Sequence, residues 1–265
     1  MLCAVLGSSG LDANRNAKKL RAAIALALVG LVVLVGVSVA AMQEGTEPVS
    51  YKAPGGTEVG LRPTGVGLPS IGESGTVGAG ELVKTLTEYH DSGAYEADLT
   101  SVDGAAQAYL NEHLTTGKAK PALVLDIDET SLSNYTGLLA SGFTAAGLVP
   151  TAVSGTATAI APTLALYRDA IAHGVAVFFI TGRPSELQSI TETNLRNVGY
   201  SEGWSGIYFK PTEADTEAFK SSTRKEIDKD HYRIVLDVGD QQSDLDGGYA
   251  QRDFKLPDPF YYIPD

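Results

Sequence analysis

Carboxylates recur in this chain at spacings that suit chemistry. Asp126-Ile127-Asp128-Glu129-Thr130 offers two aspartates two residues apart, and Gly239-Asp240-Gln241-Gln242-Ser243-Asp244 offers two more, four apart. Between them lie Thr181-Gly182-Arg183 and Lys220-Ser221. Aspartates sharing a small volume repel one another strongly, so something positive must sit among them. A hard divalent cation with oxygen ligands is the natural candidate, and a site open to water and substrate phosphate favours Mg²⁺. Thr181 closes an apolar strand ahead of a helix N-terminus, where free backbone N–H groups bind an anion. Lys220 adds a cation. Acids with a metal, anion-binding amides and a lysine together handle phosphate. An Asp beside a metal-bound phosphate can act as nucleophile and form an aspartyl phosphate. A second Asp two residues on can protonate the leaving oxygen and then activate water.

Such a constellation needs a scaffold that brings distant segments to one edge. Residues 121–125, 175–180, 206–209 and 232–236 are short apolar runs that read as strands. Residues 162–171, 184–198 and 220–229 read as helices between them, the first with Pro162 early and Gly174 as its stop. Apolar strands alternating with helices indicate a parallel sheet buried on both faces. Ligands bind at the carboxyl ends of such strands, which is where Asp126, Thr181 and Asp240 fall. Two further helices, over 81–89 and 105–114, precede the alternation. Residues 131–160 are too short for a large cap domain and predict a small helical or loop insertion near the site that helps set substrate choice.

The four motifs, in this order, resemble those of haloacid-dehalogenase-like (HAD-like) phosphatases. The fuller strings around residues 125–135, around 178–183, and Lys255-Leu256-Pro257-Asp258-Pro259-Phe260-Tyr261-Tyr262-Ile263-Pro264 are similar to one branch. That branch holds class B-like secreted acid phosphatases and plant vegetative storage proteins. The resemblance runs from about Glu81 to Pro264. It implies an α/β fold: a three-layer, Rossmann-like parallel sheet with a small or absent cap, preceded by N-terminal helices. It implies a Mg²⁺-dependent acid phosphatase acting on small phosphate monoesters. By the same resemblance Asp126 is nucleophile and metal ligand. Asp128 is general acid/base, its backbone carbonyl facing the metal. Asp240 and Asp244 are metal ligands, Thr181 and Gly182 hold the phosphoryl group, and Lys220 neutralises it, with Lys210 and Lys225 as nearby alternatives. Gln242 stands where the branch often has an aromatic residue, and Asp258 where it often has Asn. Some storage members of the branch lack the nucleophile, so a non-catalytic storage or phosphate-ligand-binding protein is the rival reading; the presence of Asp126, Asp128 and Asp240 favours the enzyme.

Other readings of the same residues fare worse. A calcium loop starting at Asp126 needs Gly at its sixth position and Glu at its twelfth, but Ser131 and Gly137 stand there. His90, His113, His173 and His231 show no metal-ligand spacing, and Trp204, Tyr261 and Tyr262 read as packing residues.

The chain has 265 residues, 43% apolar, with 20 Lys+Arg against 32 Asp+Glu and a net charge of −12. This composition fits a globular protein rather than a disordered one. The acidic surplus argues against a nucleic-acid partner. Charge is unevenly spread. Residues 1–21 carry Arg15, Lys18, Lys19 and Arg21, and residues 22–42 are an uncharged apolar run long enough to span a bilayer. The basic flank stays cytoplasmic, so residues 22–42 predict one transmembrane anchor or a signal peptide, with Ser38-Val39-Ala40 as a cleavage site. Residues 43–80 predict a Gly/Pro-rich linker and 81–265 the phosphatase domain, at the outer face of the cell membrane or secreted. After residue 42 the net charge is −15, from 16 basic and 31 acidic residues. Cys3, the one cysteine, precedes the anchor, so the exported part has no disulfide. Nothing in the sequence sets an oligomeric state.

Overall fold

The computed structural model describes residues 79–115, 118–201 and 203–262. The basic segment, the apolar run at 22–42 and nearly all of the linker lie outside the described residues. Among the described residues no helix is long and apolar enough to cross a membrane.

The described chain enters through two helices, α1 (Ala79–Asp91) and α2 (Ala94–His113), and then forms β1 (Lys120–Leu125). An insertion follows: β2 (Leu132–Ser133), α3 (Tyr135–Ala140), a 3-10 turn (Ala145–Gly147), α4 (Leu148–Ser154) and β3 (Thr158–Ala159), which pairs antiparallel with β2. Regular alternation then sets in with α5 (Ala161–Ala172), β4 (Ala176–Pro184), α6 (Gln188–Asn197), β5 (Trp204–Lys210), α7 (Thr216–Lys229) and β6 (Tyr232–Gly239). A short helix, α8 (Gln242–Leu245), and an edge strand, β7 (Arg252–Lys255), complete it.

The five long strands form one parallel sheet in the order β5-β4-β1-β6-β7. Successive side chains of a strand face opposite sides, and both sides here are apolar. Leu123, Leu125, Val177 and Phe179 pack in one core with Leu110 of α2, Leu166 of α5 and Leu195 of α6. Ala122, Val124, Phe178 and Ile180 pack in a second core with Ile227 of α7. The result is the expected three layers. Burying a Leu or Phe of this kind stabilises the fold by roughly 1.5–3 kcal/mol relative to leaving it exposed.

Local signals explain the element ends. Pro162 sits in the first turn of α5, where its missing N–H costs nothing. The helix closes at Gly174, at φ +71°, with Gly174 N–H donating to Ile171 O (3.0 Å) and Val175 N–H to Ala170 O (2.9 Å). Asp215 caps α7 by accepting the Ala218 N–H at 2.8 Å.

Four details differ from the sequence expectations. Helix α2 begins at Ala94 rather than 105, because Gly104 and the polar residues before it blur the apolar period. Strand β4 continues to Pro184, so Thr181 and Gly182 lie within it and the following helix starts later. Helix α7 begins at Thr216, which places Lys220 in its second turn rather than at its start. Strand β7 was not anticipated; of Arg252-Asp253-Phe254-Lys255 only Phe254 is buried.

Candidate active site

Three acids meet where β1 and β6 end. The Asp126 N–H still donates to Val238 O at 3.0 Å, so Asp126 continues the sheet pairing one step past β1. Asp240 follows β6 directly, and Asp244 sits on α8. Carboxylate oxygens of Asp126, Asp240 and Asp244 all lie within 4.8 Å of one another, and all three residues are buried. Gly239 makes the turn possible: a Cβ there would stand 2.4 Å from the Asp244 Cβ.

Lys220 reaches this cluster from α7. Its Nζ donates to Asp126 Oδ1 and, at 2.5 Å, to Asp244 Oδ1, and the residue is only 2% exposed. The alternatives are elsewhere, since Lys210 Nζ donates to Ala214 O at 2.7 Å and Lys225 is exposed. Thr181 is buried just beyond β1, because the register aligns Leu125 with Phe179. Its Oγ1 accepts the Arg183 N–H at 3.1 Å. Gly182 is exposed beside it, with the nearest outside atom to an added Cβ, Thr216 Cγ2, 4.0 Å away.

Asp128 pairs with Arg183 rather than with Lys220. Arg183 Nε donates to Oδ2 at 2.9 Å and Nη2 to Oδ1 at 2.6 Å, a forked pair. Asn134 Nδ2 donates to Oδ1 at 2.8 Å, and Thr151 Oγ1 of the insertion donates to Asn134 Oδ1 at 2.5 Å. The insertion therefore braces Asp128. Arg183 is braced in turn by donating from Nη1 to Thr191 Oγ1 at 3.1 Å.

Asp240 is held from three directions. Thr130 Oγ1 donates to its Oδ1 at 2.9 Å, while the Tyr261 hydroxyl at 2.9 Å and Gln241 Nε2 at 2.8 Å donate to Oδ2. Gln241 also donates to Asp258 Oδ2 at 2.8 Å, so Asp258 joins the edge of the cluster.

The electrostatics follow from burial and crowding. Burial, then the Asp244 carboxylate, pushes Asp126 well above the ordinary carboxylate range, with Lys220 pulling the other way. Burial, Asp244 and Asp258 push Asp240 up likewise. Burial raises Asp258 to about 7 and Glu129 to about 8. Asp128 behaves oppositely: burial would raise it, but the Arg183 guanidinium overrides that and holds it below the usual value. Lys220 is held firmly protonated; burial opposes this, and Asp126 and Asp244 outweigh it. One ammonium cannot balance three adjacent carboxylates. Oxygen donors with that surplus of negative charge fit a hard divalent cation.

Lys220 thus bonds Asp126 and Asp244, Asp240 lies within 4.8 Å of both acids, Thr181 and Gly182 are at the end of the neighbouring β4, and Asp128 is two residues past Asp126. Contributors that the sequence reading does not assign include Arg183, Asn134, Gln241, Asp258 and Tyr261. Tyr261, expected to pack, does so in the core, and its hydroxyl also bonds Asp240. Arg183 and Asn134 stand inside the strings that carried the resemblance, which was the available signal. Among the histidines, His90 stacks on Tyr135 at 3.4 Å between ring centres, and His173 pairs with Asp169 at the end of α5.

Comparison with known proteins agrees with this geometry. Residues 73–264 match the model of the HAD superfamily, subfamily IIIB (acid phosphatase). A stem 28 kDa glycoprotein of Glycine max is 32% identical over 194 residues, which is 69% of this chain and 75% of the relative. Acid phosphatase 1 of Solanum lycopersicum is 30% identical over 194 residues, again 69% and 75%. Vegetative storage protein 1 of Arabidopsis thaliana is 30% identical over 178 residues, 64% of this chain and 66% of the relative. The class C acid phosphatase of Bacillus anthracis with tungstate bound shares the fold at a TM-score of 0.55 and 21% identity, covering 68% of this chain and 85% of that one. The chain belongs to the acid phosphatases of HAD subfamily IIIB and is by that membership a phosphoric monoester hydrolase.

Proposed function

We propose that this protein hydrolyses small phosphate monoesters with Mg²⁺, through an aspartyl phosphate on Asp126, outside the cytoplasm. The observation that carries the reading is the buried trio Asp126, Asp240 and Asp244 around a single Lys220. Asp126, Asp240 and Asp244, with the backbone carbonyl of Asp128, would hold the cation. When bound, it supplies positive charge to the phosphoryl oxygens and to the nucleophile.

The side chains divide the remaining work. Thr181 Oγ1 and the Gly182 N–H hold the phosphoryl oxygens. Lys220 favours the ionised form of Asp126 against burial and Asp244, a pull that a bound cation would add to, and limits its repulsion of the incoming phosphate. The Asp126 carboxylate attacks phosphorus while Asp128 gives its proton to the departing alkoxide. Asp128, now ionised, takes a proton from water; the hydroxide attacks the phosphorus, and phosphate leaves as Asp126 is restored. Arg183 and Asn134 fix where Asp128 points. Because Arg183 holds the Asp128 carboxyl low, a low external pH helps load the proton that the first step needs.

The names of the storage relatives favour a second reading, a protein that stores or binds without turnover. The complete set Asp126, Asp128, Asp240 and Lys220 supports hydrolysis instead. Export rests on the basic residues 15–21 and the apolar run 22–42, which support either a membrane anchor or a cleaved signal. The test is turnover of a chromogenic phosphate ester by the purified protein, with and without Asp126→Asn. Turnover is expected to depend on Mg²⁺ and to vanish in the variant. Metal-dependent turnover that survives Asp126→Asn refutes the mechanism, and divalent binding without turnover on any ester favours the storage reading.

A further inference from the structure

Helix α7 serves the acid cluster twice. Lys220 and Arg224 are four residues apart, one helical turn, and so share a face. Lys220 goes to the carboxylates. Arg224, fully buried, goes to the backbone that carries one of them. Its Nη1 donates to the carbonyl of Asp244, its Nη2 to the carbonyl of Asp246, and its Nε to the carbonyl of Gly248 at 2.9 Å. Asp237 of β6 lies beside it, with Nη1 2.8 Å from Asp237 Oδ2. The segment it grips is irregular: Gly247, Gly248 and Tyr249 have φ of +89°, +79° and +79°. The Asp244 carbonyl is buried and needs a donor, and the part-buried bonds to Asp246 and Gly248 hold the turn that follows it.

We propose that Arg224 is a positioning residue for the metal and phosphoryl site. Its guanidinium fixes the loop from Asp244 to Gly248, and with it the distance of the Asp244 carboxylate from Asp126 and Asp240. The inference rests on the reading of Asp126, Asp240 and Asp244 as metal ligands. Arginine is required because its planar fork serves three carbonyls and a carboxylate at once; a lysine ammonium has three donors on a single point and cannot span them. Groups that orient metal ligands in this way typically change metal affinity by about 10- to 100-fold when altered.

The experiment measures Mg²⁺ and Mn²⁺ binding by calorimetry on the full chain, together with thermal melting, for wild type, Arg224→Lys, Asp237→Asn and Leu166→Ala. Leu166 lies on α5, across the sheet from α7, and its truncation lowers stability without touching the loop. Arg224→Lys is expected to weaken the cation about 10- to 100-fold. Leu166→Ala should lower the melting temperature yet bind within about twofold of wild type, since distant sites act independently. Asp237→Asn keeps the three carbonyl contacts and should bind within about threefold. It stays informative even where Arg224→Lys does not fold: a loss beyond tenfold assigns the effect to the ion pair and overturns the proposal. Arg224→Lys binding as tightly as wild type, or Leu166→Ala weakening the cation equally, also overturns it. Wild-type protein that binds neither cation refutes the metal reading itself, a result distinct from these.

Discussion

Asp103 is an acid the chemistry does not use, and its setting makes stability depend on pH in a calculable way. It sits on α2, 3% exposed, and accepts the Thr163 hydroxyl of α5 at 2.9 Å; its other oxygen has no partner. Burial raises it from 3.8 to about 7, against the pull of the Thr163 hydrogen bond. Below 3.8 the group is protonated in both folded and unfolded chains and costs nothing. Between 3.8 and 7 the unfolded chain ionises first, so stability falls as pH rises. Above 7 the full difference is lost, about 4 kcal/mol at about 1.4 kcal/mol per pH unit. Asp103→Asn keeps an acceptor for Thr163 and never ionises. In a domain of this size 1 kcal/mol moves Tm by about 2–4 °C. The variant should therefore melt close to wild type near pH 4 and roughly 8–16 °C above it at pH 8. Scanning calorimetry of both proteins at five pH values between 4 and 8 measures the gap. A gap that stays constant, or shrinks as pH rises, refutes the reasoning. Glu129 and Asp237, raised to about 8, and Asp258, raised to about 7, act with the same sign, each chiefly through burial. The fold is thus built to gain stability on the acid side of neutrality.

Two further perturbations address the site. Arg183→Met removes the guanidinium that holds Asp128 low, so burial then raises the carboxyl and the alkaline limb of the kcat profile should move to higher pH. This is read on an alkyl phosphate, whose poor leaving group needs the proton; a limb that stays or moves to lower pH contradicts the pairing. Gly239→Ala places a methyl 2.4 Å from the Asp244 Cβ, so the acid must shift. A displacement near 1 Å costs about 100-fold in rate, and steady-state kinetics within a factor of three of wild type would contradict the packing.

The three layers were legible because the strands are continuous apolar runs and the helices between them carry clear stops such as Gly174. The acids were legible because they follow those runs directly. What was hidden depends on chain crossing long sequence distances. Arg183 meets Asp128 only because β4 lies beside β1, and Tyr261 meets Asp240 only because the tail folds back over β6. Arg224 looked like one charge among many on α7; its burial depends on the loop past α8, whose left-handed residues carry no apolar period. Strand β7 escaped notice because an edge strand needs to bury only one face, and here a single Phe254 does so.

The tail also sets the order in which the supports of Asp240 are made. Lys255 Nζ donates to the Asp240 carbonyl at 2.6 Å, Asp258 is bridged to Asp240 through Gln241, and Tyr261 holds Asp240 Oδ2. All of these are made after the last of the clustered acids, Asp244. A nascent chain on the ribosome thus carries Asp126, Asp240 and Asp244, with Thr130 and Gln241, before it carries the remaining supports of Asp240. Domains begin to fold during synthesis, and the contacts of Lys255, Asp258 and Tyr261 can form only once those residues have been made.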